Sequence, residues 1–182
     1  MLRLKNPQRR TAANNWHMPC EISSAGILVS VADYTRPELI VPRLRERDPV
    51  VIIEELSQRL RAGGIIGDVL SFYQTVVNHE FLSNSALPIG IATPHARSAQ
   101  VSRLTMAIGR TGEPVDWGTT ESLPVEYVFL IAVPLTDATN YLSLLSGLAG
   151  FGRWPEMLTR QRSAADARSI FKLLKEINVR PG

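Results

Sequence analysis

The sequence predicts an α/β fold in which a mixed β-sheet is sandwiched between helices. Two observations lead to this prediction. The apolar pattern follows the order helix, helix, strands, helix, helix along the chain. The segment VEYVFLIAVP, residues 125–134, is almost continuously apolar, which is typical of a central strand buried on both faces. A sheet built around this strand and covered by helices buries all of these apolar surfaces.

The chain's net charge argues against a nucleic-acid partner. The 182 residues carry a net charge of +3, and four cations lie among the first ten residues. Without those ten residues the net charge is close to −1, so the remainder has no excess of cations to form a basic face. At 45% hydrophobic residues, the chain is also long enough to bury a sizeable core.

Cysteine content and hydropathy exclude further classes. Cys20 is the only cysteine, so neither an intramolecular disulfide nor a CxxC redox site can form. The longest apolar run is far below the roughly 20 residues that a membrane-spanning helix needs. We therefore expect a cytoplasmic protein with no membrane span and no metal site.

The chain divides into two parts. Residues 1–24 lack apolar periodicity and are rich in polar and basic residues, which is typical of a flexible segment. We predict a flexible N-terminal arm over residues 1–30 and a single folded domain over residues 31–182.

The first elements have clear boundaries. Residues 38–44 predict a short strand, and Pro42 would confine it to a sheet edge. A helix follows, with Asp48 as its N-cap, Pro49 in its first turn and Gly63 at its exit. A second helix is predicted from Asp68 to about residue 81.

The pattern then changes to extended and later returns to helical. Strands are predicted at residues 89–93, 103–110 and 125–134, the second because Leu104, Met106 and Ile108 share one face. A helix is predicted from about residue 139, with leucines on one face. A terminal helix is predicted over residues 163–178, with Ser163 as its cap and Asp166 three residues on.

A histidine stands directly after the first of these strands. Pro94 lacks a backbone donor and ends the strand at Thr93, so His95 is predicted to start the following loop. Imidazole is substantially neutral near pH 7 and nucleophilic, so His95 can accept a phosphoryl group. Ser85 and Thr93 offer hydroxyls, and Arg97 a cation, to phosphoryl oxygens. The alternative from spacing alone is an ordinary surface histidine.

The segment SNSALPIGIATPHAR, residues 83–97, resembles the active-site segment of the fructose/mannitol-type enzyme IIA domains of the bacterial sugar phosphotransferase system, including their nitrogen-regulatory relatives. The resemblance extends over roughly residues 31–178 and includes GDVLSFYQTVVNHE before the segment and PVDWG after it. It implies the α/β sandwich fold of that family, in agreement with the pattern above.

The resemblance also implies roles for individual residues. His95 matches the family's phosphoryl acceptor, and Ser85 retains a hydroxyl where the family usually has threonine. Glu80 matches the glutamate of an arginine–glutamate pair.

Three positions depart from the family pattern. His79 replaces the arginine of that pair, Tyr141 replaces a second histidine, and Pro88 stands near a replaced glycine. His79 is a poorer phosphate clamp than arginine, and Tyr141 donates one hydrogen bond without positive charge. Alternatively, His79 is an exposed helix residue and Tyr141 part of the core.

Two functions from different classes remain open from the sequence. In the first, His95 accepts a phosphoryl group from a histidine phosphocarrier protein and passes it to a downstream protein. No metal or organic cofactor is needed, because phosphohistidine is itself the activated group. In the second, the chain is a regulatory binding module that has lost efficient phosphotransfer. The chain carries no membrane or IIB domain, which favours a regulatory role over direct sugar uptake.

Overall fold

The computed structural model describes residues 29–119, 123–151, 159–160 and 163–179. Two 3₁₀ turns, at residues 31–34 and 37–39, precede the main sheet. The strands are β1 (Val29–Ser30), β2 (Ile40–Leu44), β3 (Ala86–Leu87), β4 (Ile91–Ala92), β5 (His95–Ser98), β6 (Thr105–Val115), β7 (Val125–Pro134) and β8 (Asn178–Val179). The α-helices are α1 (Pro49–Ala62), α2 (Val69–Leu82), α3 (Ala138–Phe151) and α4 (Ala167–Leu174).

The main sheet is mixed, as predicted. Its strand order is β2-β6-β7-β4-β3, and β5 also pairs with β7. The pairs β2–β6, β4–β7 and β5–β7 are parallel, whereas β6–β7 and β3–β4 are antiparallel. The strand containing Pro42 lies at the edge of this sheet, where a residue without a backbone donor is tolerated.

Helices cover both faces of the sheet, which confirms the predicted sandwich. Strand β7 is central and buried on both faces. Tyr127, Phe129 and Ile131 pack with apolar residues of α3 and α4. The alternate residues Val128 and Leu130 pack on the other face with α1 and α2. The period of two in this strand therefore separates two apolar cores.

The predicted cap at Asp48 and the predicted start of the second helix at Asp68 are confirmed, whereas the cap predicted for the last helix is not. The carboxylate of Asp48 accepts from the backbone of the first turn of α1, and Asp68 does the same for α2. The prediction of Ser163 as the cap of the terminal helix is wrong. Asp166 is the N-cap, because its Oδ1 accepts from the Ser169 N–H at 2.7 Å. The helix accordingly begins at Ala167.

The prediction that His95 begins a loop is also wrong, because it begins strand β5. The partners are Ala92 with Val128 and His95 with Ile131, so the parallel register on β7 is the same before and after Pro94. Although Pro94 cannot donate, its carbonyl still accepts from the Ile131 N–H at 2.9 Å. The proline therefore interrupts the strand for two residues without ending it.

Val29 and Ser30, which the prediction assigned to the N-terminal arm, belong to a strand. Val29 and Ser30 form β1 and pair antiparallel with Val179 and Asn178 of β8. Residues 1–28, including Cys20, lie outside the described residues.

Candidate active site

His95 lies at the start of β5, directly after the interruption at Pro94. Its partner in the register is Ile131, whose side chain belongs to the core beneath α3 and α4, so the imidazole lies on that face of the sheet. The side chain is half-buried. Its Nδ1 lies 3.1 Å from the carbonyl oxygen of Thr93. A carbonyl oxygen only accepts, so Nδ1 carries the hydrogen and Nε2 keeps its lone pair.

Two other rings contact the imidazole of His95. The ring centroid of His79, near the end of α2, lies 4.4 Å away at an interplanar angle of 58°. The centroid of Tyr141, in the first turns of α3, lies 5.1 Å away at 41°. His79 is solvent-exposed, whereas Tyr141 is 6% exposed and also packs in the core. Tyr141 is therefore a core residue, as the alternative interpretation expected, and it also contacts His95.

The surroundings favour a neutral His95. Burial lowers its pKa below the usual imidazole value. The hydrogen bond to the Thr93 carbonyl and the charge of Glu80 act in the opposite direction, while His79 and Arg97 lower the pKa further. A neutral imidazole with a free Nε2 lone pair is the nucleophilic form.

Arg97 places a cation near the ring of Tyr141. It is two residues from His95 on β5, so the two side chains share a face of the strand. Its Cζ atom lies 5.9 Å from the Tyr141 ring centroid, and the side chain is exposed. Burial raises the pKa of Tyr141 to about 12, against the opposing effect of Arg97, so the phenol remains a hydrogen-bond donor.

A chain of hydrogen bonds links α2 to His95. The Glu80 Oε1 atom accepts from the Ser85 N–H at 2.7 Å. The Ser85 carbonyl accepts from the Thr93 N–H at 3.1 Å and from its hydroxyl at 3.3 Å. Thr93 is 5% exposed and its own carbonyl holds His95. Glu80 and Thr93 thus contact the backbone that positions His95.

Two residues that the sequence analysis did not single out hold the loop after α2 in place. The Trp117 indole N–H donates to Glu80 Oε1 at 2.9 Å. The Asn84 side chain donates to the Trp117 carbonyl at 2.7 Å and accepts from the Ala86 N–H at 2.9 Å. The PVDWG turn was visible in the sequence, but no local signal pairs it with a helix 37 residues earlier.

Two polar atoms at this end of α2 and in the loop after it are buried without a hydrogen-bond partner, namely Glu80 Oε2 and Ser85 Oγ. A buried hydroxyl without a partner is costly unless a ligand or water satisfies it. The Ser85 hydroxyl can donate to an anionic oxygen. In the described part of the chain, no cluster of three or more His, Cys, Asp or Glu side chains is arranged to hold a metal ion.

A comparison with known protein families finds one whose model covers most of the chain. The family model "Phosphoenolpyruvate-dependent sugar phosphotransferase system, EIIA 2" matches residues 33–177. The chain belongs to this family. The EIIA 2 match spans both sheet faces and every residue of the site described above.

Known proteins agree with the EIIA 2 assignment. A nitrogen regulatory protein of Bradyrhizobium diazoefficiens is 24% identical over 145 residues, which cover 79% of this chain and 94% of that protein. The 2-O-alpha-mannosyl-D-glycerate-specific EIIABC component of Escherichia coli is 28% identical over 152 residues, 82% of this chain but only 23% of that protein.

Solved EIIA structures share the fold. The nitrogen regulatory protein IIA-Ntr from Neisseria meningitidis has a TM-score of 0.72 at 24% identity, over 79% of this chain and 98% of that one. IIA mannitol from Escherichia coli has a TM-score of 0.66 at 18% identity, over 76% and 97% respectively. In this chain, no helix among the described residues is both long and apolar enough to cross a membrane.

Proposed function

We propose that His95 Nε2 accepts a phosphoryl group and that the protein is a phosphohistidine carrier. One observation carries this proposal most directly. The Thr93 carbonyl 3.1 Å from Nδ1 selects the tautomer in which Nε2 is the nucleophile. The lowered pKa of His95, caused mainly by burial, favours the same neutral form.

The transfer step balances without a metal or an organic cofactor. The Nε2 lone pair forms a bond to phosphorus while the bond from phosphorus to the donor's nitrogen breaks and returns its electron pair to that nitrogen. The Nδ1–H group continues to donate its hydrogen bond to the Thr93 carbonyl oxygen. A phosphorylated ring that keeps this hydrogen is a cation, which makes it a good leaving group for the next transfer.

The surrounding groups suit the phosphoryl oxygens. The hydroxyls of Ser85 and Tyr141 can donate hydrogen bonds, and Arg97 and His79 can supply positive charge. Glu80 and Thr93 already form hydrogen bonds with the backbone of Ser85, so we assign them a positioning role. These donors lie on different elements, which allows the site to bind an anion from several directions.

The chemistry and the relatives suggest the partners. We infer that a histidine phosphocarrier protein is the donor, because a phosphohistidine can pass its group to another imidazole without a large change in bond energy. A solved complex joins IIA mannitol with phosphorylated IIB mannitol from Escherichia coli. Nitrogen regulatory proteins of Bradyrhizobium diazoefficiens and Pseudomonas aeruginosa are among the relatives. We therefore favour a cytoplasmic regulatory role over direct sugar uptake.

Incubation with phosphoenolpyruvate, the first enzyme of the system and the phosphocarrier tests this function. We expect one acid-labile, base-stable phosphate per chain, and NMR of the labelled ring should locate it on Nε2. If the phosphocarrier is active and the wild-type protein acquires no phosphate, the carrier function is wrong. The regulatory binding module would then remain as the explanation of the retained fold.

We also propose that the domain folds without the N-terminal arm. Within the described residues, β1 begins at Val29, and its pairing with β8 involves only Val29 and Ser30. Deletion of residues 1–24 should therefore change the melting temperature by less than about 2 °C and leave phosphorylation intact. A large fall in melting temperature would show that the arm packs on the domain.

A further inference from the structure

His79 is distinctive because it is a second imidazole in contact with the proposed acceptor. Its exposed ring contacts the ring of the proposed acceptor, with 4.4 Å between the centroids. Imidazole is the side chain whose charge responds to pH in the physiological range. The two rings are therefore close enough for phosphorylation of His95 to affect the protonation of His79, and for the protonation of His79 to affect phosphorylation.

The other ionisable groups around this pair lie on α2, β5 and α3. Arg97 on β5 is a permanent cation, and Tyr141 on α3 is uncharged because burial raises its pKa to about 12. Glu80, beside His79 on α2, accepts from Ser85 and Trp117 through one oxygen. Among these neighbours, His79 carries the imidazole that contacts the acceptor ring.

Phosphorylation changes the charge of the site. Before transfer, His95 is neutral. Afterwards, with the hydrogen still on Nδ1, the cationic ring carries a phosphoryl group with two negative charges, so the site gains one negative charge. An additional proton on His79 offsets this charge at short range, where the attraction is strong.

We propose that His79 takes up a proton from solvent when His95 is phosphorylated, so that phosphoryl loading is coupled to pH. This proposal rests on the proposed function and adds its regulation. The phosphorylated state binds more protons than the free state, so acidification shifts the loading equilibrium toward phosphorylated protein. A permanently charged or permanently neutral side chain at this position would not produce this coupling.

The size of the effect follows from linkage. If the phosphoryl group raises the titration midpoint of His79 by about one pH unit, the loading equilibrium changes about tenfold between alkaline and acidic limits. Most of this change should fall between about pH 5.5 and pH 8, where imidazole titrates.

The experiment measures the equilibrium between phosphorylated phosphocarrier and this protein from about pH 5.5 to 8.5. His79→Gln is the neutral control and His79→Arg the permanently charged control. Division by the His79→Gln value at each pH cancels the pH dependence of the phosphocarrier and of His95. We expect the ratio of wild type to His79→Gln to fall about tenfold as pH rises, and that of His79→Arg to His79→Gln to stay high and flat.

A second readout follows the proton directly. In NMR titrations, the His79 ring signal, assigned by its loss in His79→Gln, should titrate at a higher pH in phosphorylated than in free protein. Equal midpoints, or a flat ratio of wild type to His79→Gln, would overturn this proposal alone. No phosphate on the wild type at any pH would overturn the proposed function as well.

Discussion

Replacement of His95 by glutamine is expected to abolish phosphorylation. The rate of labelling with phosphate from the phosphocarrier should fall by at least about a thousandfold, to background. Glutamine has no nucleophilic nitrogen, yet its side chain can still hydrogen-bond the Thr93 carbonyl. His95 is half-buried rather than part of either apolar core, so the free energy of unfolding should change by no more than about 1 kcal/mol. Labelling rates and chemical denaturation measure the two effects.

The other histidines provide matched controls. His17→Gln should retain full labelling. His79→Gln should retain labelling, with a deficit relative to wild type that is largest at low pH. His95→Ala should behave like His95→Gln in labelling, which separates loss of the nucleophile from any effect of the introduced amide. Persistent phosphate on His95→Gln would move the acceptor to another residue and refute the assignment.

Replacement of Glu80 by alanine is expected to have the second-largest effect. Glu80 Oε1 accepts from both the Ser85 N–H and the Trp117 indole, so alanine removes two hydrogen bonds to a charged group. The loss should cost about 2–4 kcal/mol of the free energy of unfolding. Because Ser85 holds Thr93, and Thr93 holds His95, labelling should also fall by about 10-fold to 100-fold.

Two variants separate the contributions of Glu80. Glu80→Gln keeps an acceptor oxygen and should lose less stability than Glu80→Ala. Trp117→Phe removes one donor and leaves Glu80 bonded to Ser85, so labelling should remain near wild type. Denaturant midpoints and initial labelling rates are the measurements. Wild-type labelling in Glu80→Ala would show that the hydrogen-bonded chain from Glu80 does not position His95.

The sequence by itself determined much of the fold. The alternating environments of β7 and the caps at Asp48 and Asp68 depend on periodicity and on side chains within three residues of the helix start. Such signals are local, so they survive without knowledge of the tertiary structure. The PHAR segment likewise carries the candidate acceptor in consecutive residues.

Only the tertiary structure decided how the site is assembled. The extension of the strand past Pro94 depends on β7, which comes more than 30 residues later and supplies the partners for His95 onward. The contact of His95 with both His79 and Tyr141 requires three elements to meet, and the Trp117 bond to Glu80 joins residues 37 apart. These contacts form because apolar burial brings the helices onto the sheet, and no local propensity encodes which polar groups then become neighbours.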